Sequence, residues 1–250
     1  MSPRPKIGVG VGGWVYAPWR GVFYPPGLAQ ARELGYASRQ LTTIEINGTF
    51  YGPQKPASFR RWHDETPEDF VFSLKGPRVA THRPDLAGAG PVFERFVASG
   101  IGELRGKLGP ILWQFPPNMR VDEGALAAFL ELLPQHIDGR ALQHAVEFRR
   151  SGVATASVIE LLRRHNVALV VDDGGPDFEI TADFVYAHLR RCADDEPDGY
   201  PPEALDAWAQ RLRERSAHDA CDYFVYFISG AKIRAPAAAE ALLRRLTPAA

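Results

Sequence analysis

Thr42-Thr43-Ile44-Glu45-Ile46-Asn47 is a short run in which apolar β-branched residues alternate with side chains able to bind or move a proton. Successive side chains on a strand point to opposite faces, so Glu45 and Asn47 share one face. Runs of similar character recur at Ile7–Val11, Phe70–Lys75, Pro110–Phe115, Ala145–Arg149, Ala168–Asp172, Asp183–Leu189 and Tyr223–Ile228. Several are almost continuously apolar, as strands buried on both faces are. Between them the spacing turns helical. Leu126, Phe129, Leu130 and Leu133 follow a cap at Asp122, and Ala239, Leu242, Leu243 and Leu246 follow Pro236 in a first turn. Phe93, Phe96, Val97 and Leu104 mark another helix, Val158, Leu161 and Leu162 a further one, and Leu205, Trp208, Ala209 and Leu212 one more. Helices are also expected over Leu28–Arg39 and Pro56–Glu65.

Strands alternating with helices pair in parallel through right-handed crossovers. With 250 residues for eight such units, closure into an α/β (β/α)8 TIM-barrel-like domain spanning residues 1–250 is the economical arrangement. Asp173–Ala182, with Gly174-Gly175-Pro176, is too short for a full helix, so the sixth helix is expected to be missing or reduced to a turn. Hydrophobic residues make up 45% and charged residues 24% of the chain, which excludes a disordered or fibrous protein. A net charge of −1 gives no global basic field for nucleic acid or acidic lipid. Cys192 and Cys221 are too few for a disulfide framework. No apolar stretch reaches the roughly 18 residues of a membrane span, and a cytoplasmic location without membrane association is expected.

Parity along the strands gathers polar residues at one end. Ser73 and Lys75 share a face, as do Glu147 and Arg149, and His188 and Arg190; Gln114 and Asp172 stand near the ends of their strands. Each lies in the last positions of an otherwise apolar strand, and in a parallel barrel those ends meet at the rim where such enzymes carry their sites. A plug of ion pairs, Glu147 with Arg149 or Glu45 with Lys75, would also explain some of these charges. Ion burial costs several kcal/mol before a partner offsets it, so packing alone accounts poorly for so many. Glu45, Glu147 and Asp172 with His188 could hold a divalent metal, but the neighbouring Lys75, Arg149 and Arg190 oppose one. No metal and no cofactor are therefore expected, and mixed donors and acceptors suit a small polyhydroxylated or phosphorylated ligand.

Gly8-Val-Gly10-Val-Gly12-Gly13 matches a dinucleotide-binding glycine pattern, but Trp14-Val-Tyr-Ala-Pro18 does not open a helix, so a tight turn is expected instead. Trp14, Tyr16, Trp19, Phe23 and Tyr24 crowd the next loop, either to stack on a ligand or to plug the barrel. His82, beyond Lys75, can reach the mouth.

Thr43-Ile-Glu45-Ile-Asn47-Gly-Thr49-Phe50-Tyr51, preceded by Gly13-Trp14-Val-Tyr16, Trp19, Gly21 and Phe23-Tyr24-Pro25, resembles the YecE-like family, also called domain of unknown function 72. The likeness continues through Phe70-Val-Phe72-Ser-Leu-Lys75, Thr81-His82, Leu108-Gly109-Pro110-Ile-Leu-Trp-Gln114-Phe115-Pro116-Pro117 and Ala145-Val-Glu147-Phe148-Arg149. It implies a TIM-barrel-like fold and a loose kinship to sugar isomerases and apurinic-site endonucleases, with no established reaction. By position, Trp14, Glu45, Asn47, Thr49, Tyr51, Lys75, His82, Gln114, Glu147, Arg149 and Asp172 match the family's recurring polar and aromatic sites. The C-terminal third departs. Tyr186-Ala-His188-Leu-Arg190-Arg191 exchanges the family's arginine and histidine positions, and Ile228-Ser229-Gly230 and Ala238-Ala239 stand where hydrogen-bonding residues recur.

The expectation is a small-molecule enzyme with isomerase-like proton transfer. Glu45 or Glu147 would be the general base, and Lys75 and Arg149 would stabilise a developing oxyanion. Trp14, Asn47, Tyr51, His82, Gln114, Asp172, His188 and Arg190 would line the ligand. Phosphodiester or nucleic-acid processing, using Arg190, Arg191, Lys232 and Arg234, is the alternative but is not favoured; a non-catalytic scaffold barrel is a third reading.

Overall fold

The computed structural model describes residues 7–118, 122–149, 152–173, 179–219 and 221–247. Strands β1 (Ile7–Gly12), β2 (Thr43–Ile46), β3 (Val71–Lys75) and β4 (Leu108–Phe115) come first, followed by a small hairpin of β5 (His136–Ile137) and β6 (Arg140–Ala141). Then come β7 (His144–Phe148), β8 (Val167–Leu169), β9 (Val171–Asp172), β10 (Phe184–Leu189) and β11 (Asp222–Phe227). The hairpin aside, the strands form one 9-stranded parallel sheet in the order β8-β7-β4-β3-β2-β1-β11-β10-β9.

The two edges of that sheet, β8 and β9, are halves of one sequence run separated by Val170, so the barrel is nearly closed. The expected single strand Ala168–Asp172 is thus divided. Its first half pairs with β7 and its second with β10, and the Val170 amide donates to the Val146 carbonyl at 2.9 Å. Thr181 mends the gap: its hydroxyl donates to the Val167 carbonyl at 2.7 Å and accepts from the Leu169 amide at 2.8 Å. Among the described residues no helix stands between β9 and β10, while Gly174-Gly175-Pro176 lies outside them.

The helices are α1 (Glu33–Gln40), α2 (Gly48–Tyr51), α3 (Pro56–Glu65), α4 (Arg78–Thr81), α5 (Gly90–Ala98), α6 (Glu123–Glu131), α7 (Ala156–Arg164), α8 (Pro202–His218) and α9 (Ala235–Leu246). Asp122 caps α6 as expected, accepting from the Ala125 amide at 3.0 Å, and Pro236 sits in the first turn of α9. Two expectations change. Leu28–Arg39 is a 3-10 turn at Gln30–Arg32 running into α1, and Leu104 belongs to the 3-10 stretch Ile101–Lys107 rather than to α5. Gly100 causes the second break: its φ of 101° is left-handed, and a Cβ there would lie 2.8 Å from Pro56.

Alternation divides the apolar residues into two cores. Val9, Val11, Ile44, Ile46, Phe72 and Leu74 point outward to meet helix residues such as Leu34, Phe59, Trp62 and Leu242. Leu112, Ala145, Ala168, Phe184, Tyr186, Phe224 and Tyr226 form a separate cluster inside the barrel. Full burial of each large apolar side chain stabilises by about 1.5–3 kcal/mol. Trp19 and Tyr24 are buried, with Phe23 beside them at a ring distance of 5.8 Å from Trp19, so most of the first aromatic loop is packing.

Candidate functional site

Gly8, Gly10 and Gly12 alternate with the outward-facing Val9 and Val11 and so face the barrel interior. A Cβ on Gly10 would lie 1.8 Å from the Thr43 carbonyl oxygen, and one on Gly12 would lie 2.9 Å from Asn47 Nδ2. The glycines thus serve close backbone approach, and β1 is followed by the 3-10 turn Ala17–Trp19 rather than by an α-helix that could receive a pyrophosphate.

Above the apolar floor the interior becomes polar in steps. The Tyr226 hydroxyl lies 2.9 Å from Thr43 Oγ1 and hydrogen-bonds with Ser73. Two residues beyond Thr43 on β2, Glu45 Oε2 accepts from the Tyr186 hydroxyl at 2.7 Å. His188, 0% exposed, bridges two carboxylates: Nε2 lies 2.7 Å from Glu45 Oε2 and Nδ1 lies 3.4 Å from Glu147 Oε1. Glu147 also pairs with Arg190 and accepts from Gln114 Nε2. The His188 contacts join β10 to β2 and to β7, neither of which is its neighbour in the sheet, so they cross the interior.

Burial alone would raise the Glu45 carboxyl. The charge and hydrogen bond of His188, then Lys75 and the Tyr186 hydroxyl, outweigh burial and bring it down to about 2. Burial and the Glu45 charge push the Tyr186 phenol well above its ordinary value. Burial lowers the Arg190 guanidinium, opposed by Glu45. His82 is lowered by burial and then by the positive charge of Arg78 and Lys75.

Of the residues expected at the rim, Glu45, Gln114, Glu147, His188 and Arg190 come together. Lys75 stands next to them: Nζ reaches Asn47 Oδ1 at 3.5 Å and lies 5.2 Å from the Phe50 ring centre, while Thr49 Oγ1 fixes its backbone through the Lys75 carbonyl at 2.7 Å. Trp14 packs edge-on against Trp62 at 5.2 Å. With Asn47, Gly12, Gln54 and Lys232 these two tryptophans line a cavity of about 300 Å³ at the mouth. His82 is half-buried, 5.5 Å from the Phe50 ring.

Arg149 and Tyr51 are exposed and do not join the buried network, and Asp172, also exposed, is the register partner of His188 at the edge of the sheet. The partner of Glu147 is therefore Arg190 rather than Arg149, and that of Glu45 is His188 rather than Lys75. Asp173, not singled out in the sequence, accepts the Arg190 and Arg191 amides at 2.8 and 2.9 Å and the Tyr200 hydroxyl, so it fixes the chain that carries Arg190. Tyr186 was also missed, although it lies two residues before His188 on the same strand face. His144, not singled out in the sequence, is buried outside the barrel, accepting from Trp113 Nε1 at 3.1 Å and donating to the Pro134 carbonyl at 2.7 Å.

Among the described residues no group of three or more metal-binding side chains is gathered as a metal site would require. No helix among them is long and apolar enough to cross a membrane.

Comparison with known proteins agrees with the barrel. A Thermotoga maritima DUF72-family protein superposes with a TM-score of 0.73 at 24% identity, covering 95% of this chain and 97% of the other. D-psicose 3-epimerase from Clostridium cellulolyticum H10, solved with D-tagatose, shares the fold at a TM-score of 0.54 and 11% identity, covering 96% and 95%. The protein YecE of Escherichia coli (strain K12) is 27% identical over 172 residues, 68% of this chain but only 60% of YecE's own length. The family model described as "Protein of unknown function DUF72" matches residues 8–250, and the chain belongs to that family.

Proposed function

We propose that this protein binds a small polar molecule, sugar-like or phosphorylated, at the carboxyl ends of its barrel strands and moves a proton on it through Glu147. The supporting observation is the cluster of buried Glu45, Gln114, Glu147 and His188 at the ends of β2, β4, β7 and β10, with the partly exposed Arg190 just past β10 paired to Glu147. Packing stability does not require so many ionisable groups in one place, because burying each costs several kcal/mol.

The two carboxylates have different work. An effective general base has a pKa near the operating pH, and Glu45, held down at about 2, is a weak acceptor. Glu45 instead orients the His188 ring. Glu147 faces the other ring nitrogen and stands beside Arg190. In this reading Glu147 takes a proton from a carbon next to a carbonyl and returns it, so that atoms balance without a co-reactant. Lys75 and Arg190, in place of the expected Arg149, stabilise the charge that develops on the carbonyl oxygen. The shared fold with D-psicose 3-epimerase is in keeping with a sugar-like ligand, but the residues carry the argument.

The test uses a panel of ketoses and sugar phosphates incubated in heavy water, with deuterium incorporation at carbon followed by NMR. Exchange into at least one member is expected, and Glu147→Gln lowers its rate about 10²–10⁴-fold. Absence of exchange across the panel, or full exchange in Glu147→Gln, overturns the reading.

A further inference from the structure

Outside the barrel mouth, α2, α4 and α5 enclose a second cavity of about 540 Å³, within the size range of small-ligand sites. Its walls are mainly apolar. Phe50 and Phe96 line the inner side, while Tyr51, 82% exposed, and Val79, 60% exposed, stand at the edge. Large apolar side chains left this open are informative where they share one concave surface. Arg78 and Arg95 line the same groove, and among the described residues neither guanidinium has an acidic partner. The groove therefore combines an apolar wall with an excess of positive charge.

We infer that this groove binds an amphipathic anion, a small molecule whose aromatic or aliphatic body lies against Phe50, Tyr51 and Val79 while one anionic group meets Arg78 and Arg95. The inference does not depend on the acid–base reading of the rim, because these residues are separate from the Glu45–His188–Glu147 network. It also gives the exposed Tyr51 ring a contact surface. Guanidinium groups suit such an anion because their planar fork donates two parallel hydrogen bonds to one carboxylate, phosphate or sulfonate.

Two dyes test this directly. 8-Anilinonaphthalene-1-sulfonate carries the apolar rings and an anion, and N-phenyl-1-naphthylamine carries the same rings without charge. The sulfonate is expected to bind the full chain about 10-fold tighter than the neutral dye, as one charge-assisted hydrogen bond would give, and to weaken with added salt. Arg78→Gln with Arg95→Gln should abolish that preference and leave neutral-dye affinity unchanged. Val79→Glu, at an exposed position where folding is not at stake, should weaken the sulfonate at least as much. Amide NMR shifts caused by the sulfonate should cluster on α2, α4 and α5. Undiminished sulfonate affinity in the arginine variants, equal affinity for both dyes, or shifts concentrated elsewhere would overturn the inference.

Discussion

In the lower half of the barrel interior, Leu112, Ala145, Ala168, Phe184 and Phe224 meet without a charge among them. Two residues further along β4 and β7 stand Gln114 and Glu147, and four further along β10 stands His188. The same strands, at the same spacing, thus build an apolar floor and an ionic ceiling. The floor gains from burial of apolar surface, whereas the ceiling holds charges whose desolvation opposes folding. Apolar burial lies below and buried charge above, and the pleat sets the boundary between them.

The sharpest way to break this division is Glu45→Ala. It leaves the buried His188 with only the longer contact to Glu147 and removes the acceptor of the Tyr186 hydroxyl. Breaking a buried ion pair from one side costs about 3–5 kcal/mol, measurable by urea denaturation. A loss under about 1 kcal/mol would mean that the ceiling tolerates an unpaired group, and the contrast with the floor would fail. Leu112→Ala addresses the floor. Leu112 is fully buried, so truncation should cost about 2–5 kcal/mol and leave ligand binding at the rim unchanged.

Acid separates two buried groups by pH window. His144, outside the barrel, is pushed down to about 4 by burial, against the Pro134 carbonyl. Its folded pKa lies below its unfolded value, so its neutral form contributes stability in full above about pH 6.5, lost as pH falls through the folded value. Glu45 is held at about 2, so its contribution is intact above its ordinary value and disappears only as pH falls through about 2. Each shift corresponds to about 3 kcal/mol over its window. Melting temperatures from pH 7 to pH 3 should therefore fall first through His144 and then through Glu45. His144→Gln should flatten the slope between about pH 6.5 and 4.5; an unaltered slope would assign that loss to other groups.

The sequence was most legible where strand parity holds. Glu45, Gln114, Glu147 and His188 lie within regular strands, where a period of two fixes the face. Arg149 and Asp173 lie just past the ends of β7 and β9, where the pleat no longer governs direction. One residue beyond a strand end therefore separates the exposed Arg149 from the buried Glu147, and the exposed Asp172 from Asp173, whose side chain is 6% exposed. Tyr200 gave no signal because it reaches Asp173 from an irregular segment, through tertiary folding alone. The divided sixth strand was equally hidden, since Val170 has the same apolar character as its neighbours and only the pairing of β8 with β7 and of β9 with β10 reveals the break.

Tyr186 belongs to both halves. Its ring packs in the floor cluster 5.0 Å from the Tyr226 ring centre, and its hydroxyl donates to Glu45. Tyr186→Phe keeps the ring and removes only the donor, so it isolates the link between floor and ceiling. A hydrogen bond to a charged group contributes about 1.5–3 kcal/mol, and His188 still satisfies the same Glu45 oxygen, so a loss near the lower end of that range is expected. The Glu45 carboxyl should also titrate higher, because one of the groups favouring its ionised form is gone. Both readouts, denaturation midpoint and carboxyl NMR titration, should move together. A stability loss with no change in Glu45 titration would place the effect in the packing of the floor and leave the hydroxyl without influence on the charges above it.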